Sequence, residues 1–191
     1  MTTAVAQSTY EDSAYLARLR TGEEAAFERM VHENIDKLYA YATRMLRNAS
    51  EAADAVQEAF MDARRGLASF RGESRLTTWL HRILHRRCLQ IIRKRKNNLD
   101  IDELAEIIPD REKDVLAPLE DQDLSILIKA ELDGLPDAQR QAISLFYFSS
   151  LSYEEIATTM NIPVGTVRTH IHRGKAALRS HLVKKGVGNY V

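Results

Sequence analysis

The residues of this sequence that are best suited to bind a ligand are cationic and lie close together in the chain. Residues 64–96 hold 11 Lys and Arg and one acidic residue, Glu73. Such a block of positive charge is typical of a surface that binds a polyanion, such as the phosphate backbone of a nucleic acid. The 191-residue chain has a formal net charge of zero, partly because residues 97–123 hold two basic and ten acidic residues. The neutral total therefore conceals a pattern that favours nucleic-acid binding.

A second set of polar and basic residues lies near the C-terminus, on a helix predicted over 164–182. The apolar residues of this helix share one side at 100° per residue. Its opposite side carries four polar or basic residues: Arg168, Thr169, His172 and Arg173. Arginine can bond a guanine edge in two places, threonine and histidine can bond bases or phosphates, and Lys175 can neutralise the backbone. This face is a second candidate surface for DNA.

No comparable pattern indicates catalysis. The sequence has no glycine-rich phosphate loop, HExxH motif or nucleophile motif. His81 and His85 have the i, i+4 spacing of a metal-binding pair, but no carboxylate or thiolate joins them at motif spacing. We therefore expect no enzyme activity, no metal, no cofactor and no small-molecule substrate.

Cysteine content and hydropathy bear on the location of the protein. Cys88 is the single cysteine, so no internal disulfide can form and a reduced compartment is expected. No apolar run approaches the ~18 residues that a membrane span needs. Residues 1–10 lack the basic start and apolar stretch of a signal peptide. The sequence thus predicts a cytoplasmic protein.

Helices must position these residues, because apolar residues recur at helical spacing nearly throughout. One long amphipathic helix is predicted over 23–46. A second follows, with an apolar face of Val56, Ala59, Phe60 and Ala63 and an opposite face of Asp54, Gln57, Glu58 and Met61. A third, capped by Ser74, is predicted to run to about Lys96. Opposite its apolar stripe lie Arg82, His85, Arg86, Arg93 and Lys96.

Residues 152–182 have the layout of a helix-turn-helix. Ser152, followed three residues later by Glu155, is a capping box that opens a short helix. Turn residues from Asn161 to Pro163 stop that helix, and the longer helix over 164–182 follows. Because the second helix of this motif enters the major groove of DNA, its polar face is the predicted reading surface.

Motifs in both halves of the chain resemble those of bacterial RNA polymerase sigma factors. Those that resemble sigma domain four are LP at 135–136, LSYEEIA at 151–157 and PVGTVRT at 163–169. Those that resemble sigma domain two are DAVQEAF at 54–60, FRGES at 70–74 and TWL at 78–80. Two domains with a short linker are typical of the extracytoplasmic function (ECF) class, which the chain resembles.

The resemblance implies an all-α protein of two small helical domains joined by an acidic linker, the C-terminal one with a helix-turn-helix. The implied parts are an N-terminal segment (1–22), domain two (23–96), the linker (97–123), domain four (124–185) and a tail (186–191). Domain two would bind core polymerase and melt the promoter. Domain four would read the upstream promoter element.

The resemblance also implies the residues that make each contact. Those facing polymerase are Asp54, Gln57, Glu58 and Met61. Those implied for the downstream promoter element, where a flipped base of the melted strand occupies a pocket, are Arg75, Arg82, His85, Arg86, Arg87, Gln90, Arg93, Lys94 and Lys96. Those implied for the upstream element are Thr166, Arg168, Thr169, His172, Arg173 and Lys175.

The implied partners are core RNA polymerase, promoter DNA as duplex and as melted strand, and an anti-sigma factor that restrains the protein. The competing interpretation is a stand-alone helix-turn-helix regulator, which would leave the basic block at 64–96 unexplained. Two features of the sequence, the acidic linker and Trp79, each allow two interpretations. The acidic linker either imitates nucleic acid inside polymerase or is a solubilising tether, and Trp79 either anchors the core or stacks on a base.

Overall fold

Two helical units make up residues 13–99 and 130–185, which a computed structural model describes. The first holds α1 (Ser13–Arg20), α2 (Glu24–Leu46), α3 (Ala49–Gly66), a 3₁₀ turn (Leu67–Ser69) and α4 (Leu76–Leu99). The second holds a helical stretch over 130–133, α5 (Asp137–Tyr147), α6 (Tyr153–Met160) and α7 (Val164–Lys184). The described residues contain no strand, and the predicted all-α fold is confirmed. Most of the predicted linker and the tail over 186–191 lie outside the described residues.

Local signals in the sequence set the boundary between α2 and α3. Arg47 adopts a left-handed conformation (φ 52°) and donates its backbone N–H to the Thr43 carbonyl, which ends α2. The side chain of Asn48 then accepts a hydrogen bond from the Glu51 N–H at 3.0 Å, the N-cap that opens α3. The predicted break between the two helices lies at this turn.

The core of the first unit lies between α2, α3 and α4. Helix α3 lines it with small side chains, each at most 1% exposed: Ala52, Ala55, Ala59 and Ala63. Their small volume lets α2 and α4 approach closely, and Leu38, Leu80 and Leu84 fill the space between them. In the first turn of α4, Trp79 is half-buried and its ring lies 4.9 Å from that of Phe70. This contact favours the interpretation of Trp79 as a core anchor.

The second unit contains the predicted helix-turn-helix. The Ser152 side chain accepts from the Glu155 N–H (3.2 Å) and the Glu155 carboxylate accepts from the Ser152 N–H (2.8 Å), so the predicted capping box is present. Asn161, at φ 55°, ends α6, and Pro163 is the N-cap of α7. Helix α7 packs on α5, and a buried residue, Gly174, makes this close approach possible.

The two units pack against each other, which the sequence pattern did not predict. Helix α2 contacts α5, and α4 contacts α6. One apolar cluster continues across the junction, with Leu80 and Leu84 on one side and Leu145, Leu151 and Ile156 on the other, all at most 1% exposed. The junction is therefore part of the hydrophobic core.

Candidate nucleic-acid and partner interfaces

The outer face of α4 presents most of the predicted downstream-element residues to solvent. Five of them are exposed: Arg82, Arg86, Gln90, Arg93 and Lys94. Lys96 lies in α4 but outside the residues whose side chains the structure describes. The exposed residues make this face of α4 a continuous cationic surface.

A polar pocket of about 520 Å³ opens beside this face of α4. Its lining comprises Asp62, Arg65, Gly66, Ser69, Trp79, Ile83, Arg86, Arg87 and Gln90. Asp62 was not predicted, because its place on α3 lies outside the basic block. Burial raises the pKa of its carboxyl, but hydrogen bonds from Arg65 and Arg87 outweigh burial and bring that pKa below its ordinary value. Asp62 therefore stays ionised and offers a fixed acceptor at the pocket.

Two predicted arginines of the downstream element are engaged with carboxylates. Arg87 lies 2.5 Å from Asp62 and 3.2 Å from Glu58, so it joins α4 to α3. Arg75 lies at the junction between the units, where its guanidinium bonds the Glu155 carboxylate. In contrast, no salt bridge to Arg86 occurs within residues 13–99 and 130–185. Among the three, Arg86 is the arginine whose charge is available to a ligand.

The expectation that His85 lies on the exposed basic face is wrong. His85 is 3% exposed, and its Nδ1 lies 2.8 Å from the hydroxyl of Tyr41. His81 is fully buried as well, with Nδ1 2.9 Å from the Thr77 carbonyl. Burial lowers the pKa of each imidazole to about 4. Helical-wheel reasoning failed here because a second surface of α4 is covered by other helices.

The predicted reading face of α7 is open to solvent. Five of its predicted residues are exposed, namely Arg168, Thr169, His172, Arg173 and Lys175, and Thr166 is half-buried. A groove of about 880 Å³ runs along this helix, and Arg168, His172 and Lys175 line it together with the exposed rings of Tyr147 and Phe148. The cationic face therefore borders an apolar one.

A third surface, the α2–α3 groove, is apolar and measures about 590 Å³. Gln57 and Met61 of the predicted polymerase-facing set line it, and Asp54 and Glu58 are exposed on the same helix. Ile35 and Tyr39, which the sequence analysis did not single out, line it from α2 and are 40% and 39% exposed. The signal that could have identified them is an apolar stripe wider than one helix face needs.

Comparison with protein families gives one match in each of the two helical units. Residues 30–98 match the sigma-70 region 2 family, and residues 125–178 match the sigma-70 region 4 family. The two regions in this order define the sigma-70 class of transcription initiation factors. A stand-alone helix-turn-helix regulator is not favoured, because the basic block at 64–96 lies inside the region 2 match.

Similar proteins place the chain within that class. It is 38% identical over 179 residues to the ECF RNA polymerase sigma factor SigW of Bacillus subtilis, covering 87% of this chain and 94% of that protein. It is 34% identical over 178 residues to the RNA polymerase sigma-H factor of Pseudomonas aeruginosa, covering 88% and 92%. The sigma factor RpoE of Bartonella quintana, solved with the anti-sigma factor NepR, matches with a TM-score of 0.69 and 27% identity over 82% of this chain and 96% of that one. The chain therefore belongs to the ECF sigma factors of RNA polymerase.

Proposed function

We propose that this sigma factor binds core RNA polymerase through the α2–α3 groove and reads a promoter through the outer faces of α4 and α7. The observation that carries the proposal is the presence, in one chain, of a cationic face with a pocket and a separate exposed helix-turn-helix reading face. A regulator that binds duplex DNA needs only the helix-turn-helix face. An initiation factor that opens DNA needs that face for the duplex and also the cationic face with its pocket for the melted strand.

The α2–α3 groove has the chemistry of a protein-binding surface. Ile35, Tyr39 and Met61 expose apolar area there, and Asp36 and Arg64 supply charge in its lining. Asp54 and Glu58 are exposed on α3, the helix that carries Met61. An apolar centre with a polar rim is typical of protein interfaces. The groove would receive the clamp helices of the largest polymerase subunit.

The pocket beside α4 would hold a flipped base of the non-template strand. Trp79 lines the pocket, Arg86 offers donors, and the Asp62 carboxylate offers acceptors. Extraction of a base from the stack costs a few kcal/mol, which such contacts can offset. In the holoenzyme, Arg86→Ala should change the base preferred at one promoter position. Arg82→Ala, outside the pocket, should weaken all promoters alike, and equal behaviour of the two variants would contradict the pocket assignment.

The location and restraint of the protein are part of the same proposal. No helix in the described ranges is long and apolar enough to cross a membrane. We place the protein in the cytoplasm, where core polymerase is, and propose that an anti-sigma factor restrains it. Support comes from relatives: RpoE of Bartonella quintana was solved with NepR, and CnrH was solved with the cytosolic domain of CnrY.

Gel-filtration co-elution with bacterial core RNA polymerase, followed by run-off transcription on fragmented genomic DNA, tests the proposal. New start sites that depend on the protein are expected. Met61→Glu should weaken co-elution at least about tenfold, because it places a charge in an apolar groove. Val183→Glu is the matched control, since Val183 is 55% exposed, like Met61 at 52%, but lies outside the groove. Duplex binding without any binding to core would overturn the proposal.

A further inference from the structure

We propose that Arg20, at the end of α1, is a positioning residue for the pocket beside α4. It holds the loop over 70–75, which connects the 3₁₀ turn to α4, and so fixes the part of the pocket wall that Trp79 forms. The inference rests on the function proposed above, because it concerns how this pocket holds a flipped base. Arg20 lies in residues 1–22, to which the sequence resemblance assigns no contact, and it is not among the residues that line the pocket.

Helix α1 is fixed to the rest of the first unit by buried contacts. Leu19 is 1% exposed and Tyr15 is 8% exposed, and the Tyr15 hydroxyl donates a hydrogen bond to the Ala26 carbonyl at 3.2 Å. The helix also packs on the 3₁₀ turn, whose last residue, Ser69, lines the pocket. Arg20, the last residue of α1, therefore extends from a well-anchored helix.

The guanidinium of Arg20 lies against the backbone of the loop over 70–75. Its Nε donates a hydrogen bond to the Phe70 carbonyl at 2.8 Å, and the positive charge of the donor strengthens this bond. A Cβ added to Gly72 would lie 3.5 Å from Arg20 Nη2 and 3.9 Å from Leu16 Cδ1. Gly72 has φ 77°, a left-handed conformation that favours glycine. One side chain of α1 thus contacts the loop at both Phe70 and Gly72.

The loop passes this constraint to the pocket through the contact between Phe70 and Trp79. Phe70 is 6% exposed, and its ring centre lies 4.9 Å from that of Trp79. Trp79 also lies close to Gly66, where an added Cβ would be 3.1 Å from Trp79 Cζ2. Trp79 and Gly66 both line the pocket. A shift of Phe70 would therefore change the position of Trp79 in the wall, and with it the fit of a base.

The fluorescence of Trp79, the single tryptophan of the chain, reports on this wall in the free protein. Arg20→Ala should move the emission maximum to longer wavelength as the contact with Phe70 loosens, while the circular dichroism spectrum stays that of the wild type. Arg71→Ala is the matched control and should leave the emission unchanged. Arg71 lies in the same loop, but its side chain is 83% exposed and pairs with Glu73.

Binding of single-stranded DNA to the holoenzyme measures the consequence for the pocket. One oligonucleotide has the non-template sequence of a promoter mapped by run-off transcription, and the others are abasic at one position each. The flipped base is the position at which the wild type loses most affinity. Arg20→Ala should lower the preference for the intact strand over that abasic strand about three- to tenfold, because one hydrogen bond that shapes the pocket is lost. Arg71→Ala should keep the wild-type preference.

A pair of glycine variants perturbs the loop and leaves Arg20 in place. Gly72→Ala and Gly22→Ala each put a side chain at φ 77°, so the backbone strain of the two variants is matched. At Gly72 the added Cβ meets Arg20 and Leu16, whereas at Gly22 no atom lies within 4 Å. Both variants should lose stability to a similar extent, but only Gly72→Ala should lower the base preference.

The outcomes separate this inference from the proposed function. Wild-type emission or a wild-type base preference in Arg20→Ala would overturn the positioning role. An equal loss of affinity for intact and abasic strands would also overturn it, since Arg20 would then be a phosphate contact. If Arg20→Ala does not fold, the glycine pair decides, and equal base preferences in Gly72→Ala and Gly22→Ala contradict the inference. A wild-type holoenzyme that binds every abasic strand as well as the intact one overturns the proposed base pocket, and the inference with it.

Discussion

At the scale of single residues, neighbouring groups decide what an arginine can do. Arg86 and Arg87 are adjacent on α4, but Arg87 is engaged by Glu58 and Asp62 while Arg86 is exposed beside the pocket. On α7, Arg168 lies on the reading face and is exposed. We therefore expect Arg86 and Arg168 to contact DNA and Arg87 to position the pocket.

Replacement of Arg168 by alanine tests base reading. A bidentate contact to a base contributes about 1–3 kcal/mol of discrimination, so Arg168→Ala should weaken binding to the specific upstream element by that amount and affect random DNA little. Lys175→Ala, which removes a predicted phosphate contact, should weaken both alike. Fluorescence anisotropy with the two duplexes measures the difference. Equal losses for Arg168→Ala on both duplexes would make Arg168 a phosphate contact.

The two buried histidines predict an acid-sensitive fold. Their pKa is about 4 in the folded protein against an ordinary value of 6.5, because burial disfavours the charged form. As pH falls below 6.5, the unfolded chain therefore gains protons that the folded chain does not bind, and stability falls until about pH 4. The loss at pH 5 should be about 2 kcal/mol per histidine.

Urea unfolding at pH 7.5 and pH 5 measures this loss. The variant His81→Gln should retain only about half of the histidine-linked loss, because one of the two histidines is removed. The variant His32→Gln should retain all of it, since His32 is exposed. A His81→Gln protein with undiminished acid sensitivity would show that the buried imidazole is not its source.

At the scale of elements, the position of the reading helix depends on how closely α7 approaches α5. A Cβ at Gly174 would lie 2.5 Å from Ile143 Cδ1, and Ile143 is only 2% exposed. Because Ile143 is buried and branched, it cannot move aside cheaply. Gly174 therefore allows the close approach of the two helices, and with it the position of the predicted reading face.

Two glycine substitutions on the same helix test this packing. Gly174→Ala should lower the free energy of unfolding by about 1 kcal/mol, as overpacking outweighs the gain in helix propensity. Gly165→Ala is the matched control, since no atom lies within 4 Å of its added Cβ, and it should raise stability by up to about 1 kcal/mol. Thermal unfolding that ranks the two variants equally would show that Ile143 yields.

At the scale of the whole molecule, a continuous core predicts that the two units unfold together. The apolar cluster at the junction includes Leu80, Leu84, Leu145 and Ile156, so separation of the units exposes core surface. Differential scanning calorimetry should show one transition, with equal calorimetric and van't Hoff enthalpies. Two resolved transitions would mean that the junction contributes little to stability.

The sequence by itself predicted α2, α3, α4, α6 and α7, the caps at Asn48 and Ser152, and the exposure of most candidate reading residues on α7, but it predicted no helix at α1. These features are local: hydrophobic periodicity, the capping box at Ser152 and Glu155, and motif spacing all act within a few turns of one helix. For the same reason, the exposed face of a helix can be predicted where the helix has one buried side, as on α7 and on the outer face of α4.

Only the tertiary structure decided which side chains meet across helices and units. It buried His85 against Tyr41, brought Asp62 to Arg87, left Ile35 exposed and paired Arg75 with Glu155. Each of these results depends on how helices distant in the chain pack, and a periodic pattern shows that a face is apolar without showing what covers it.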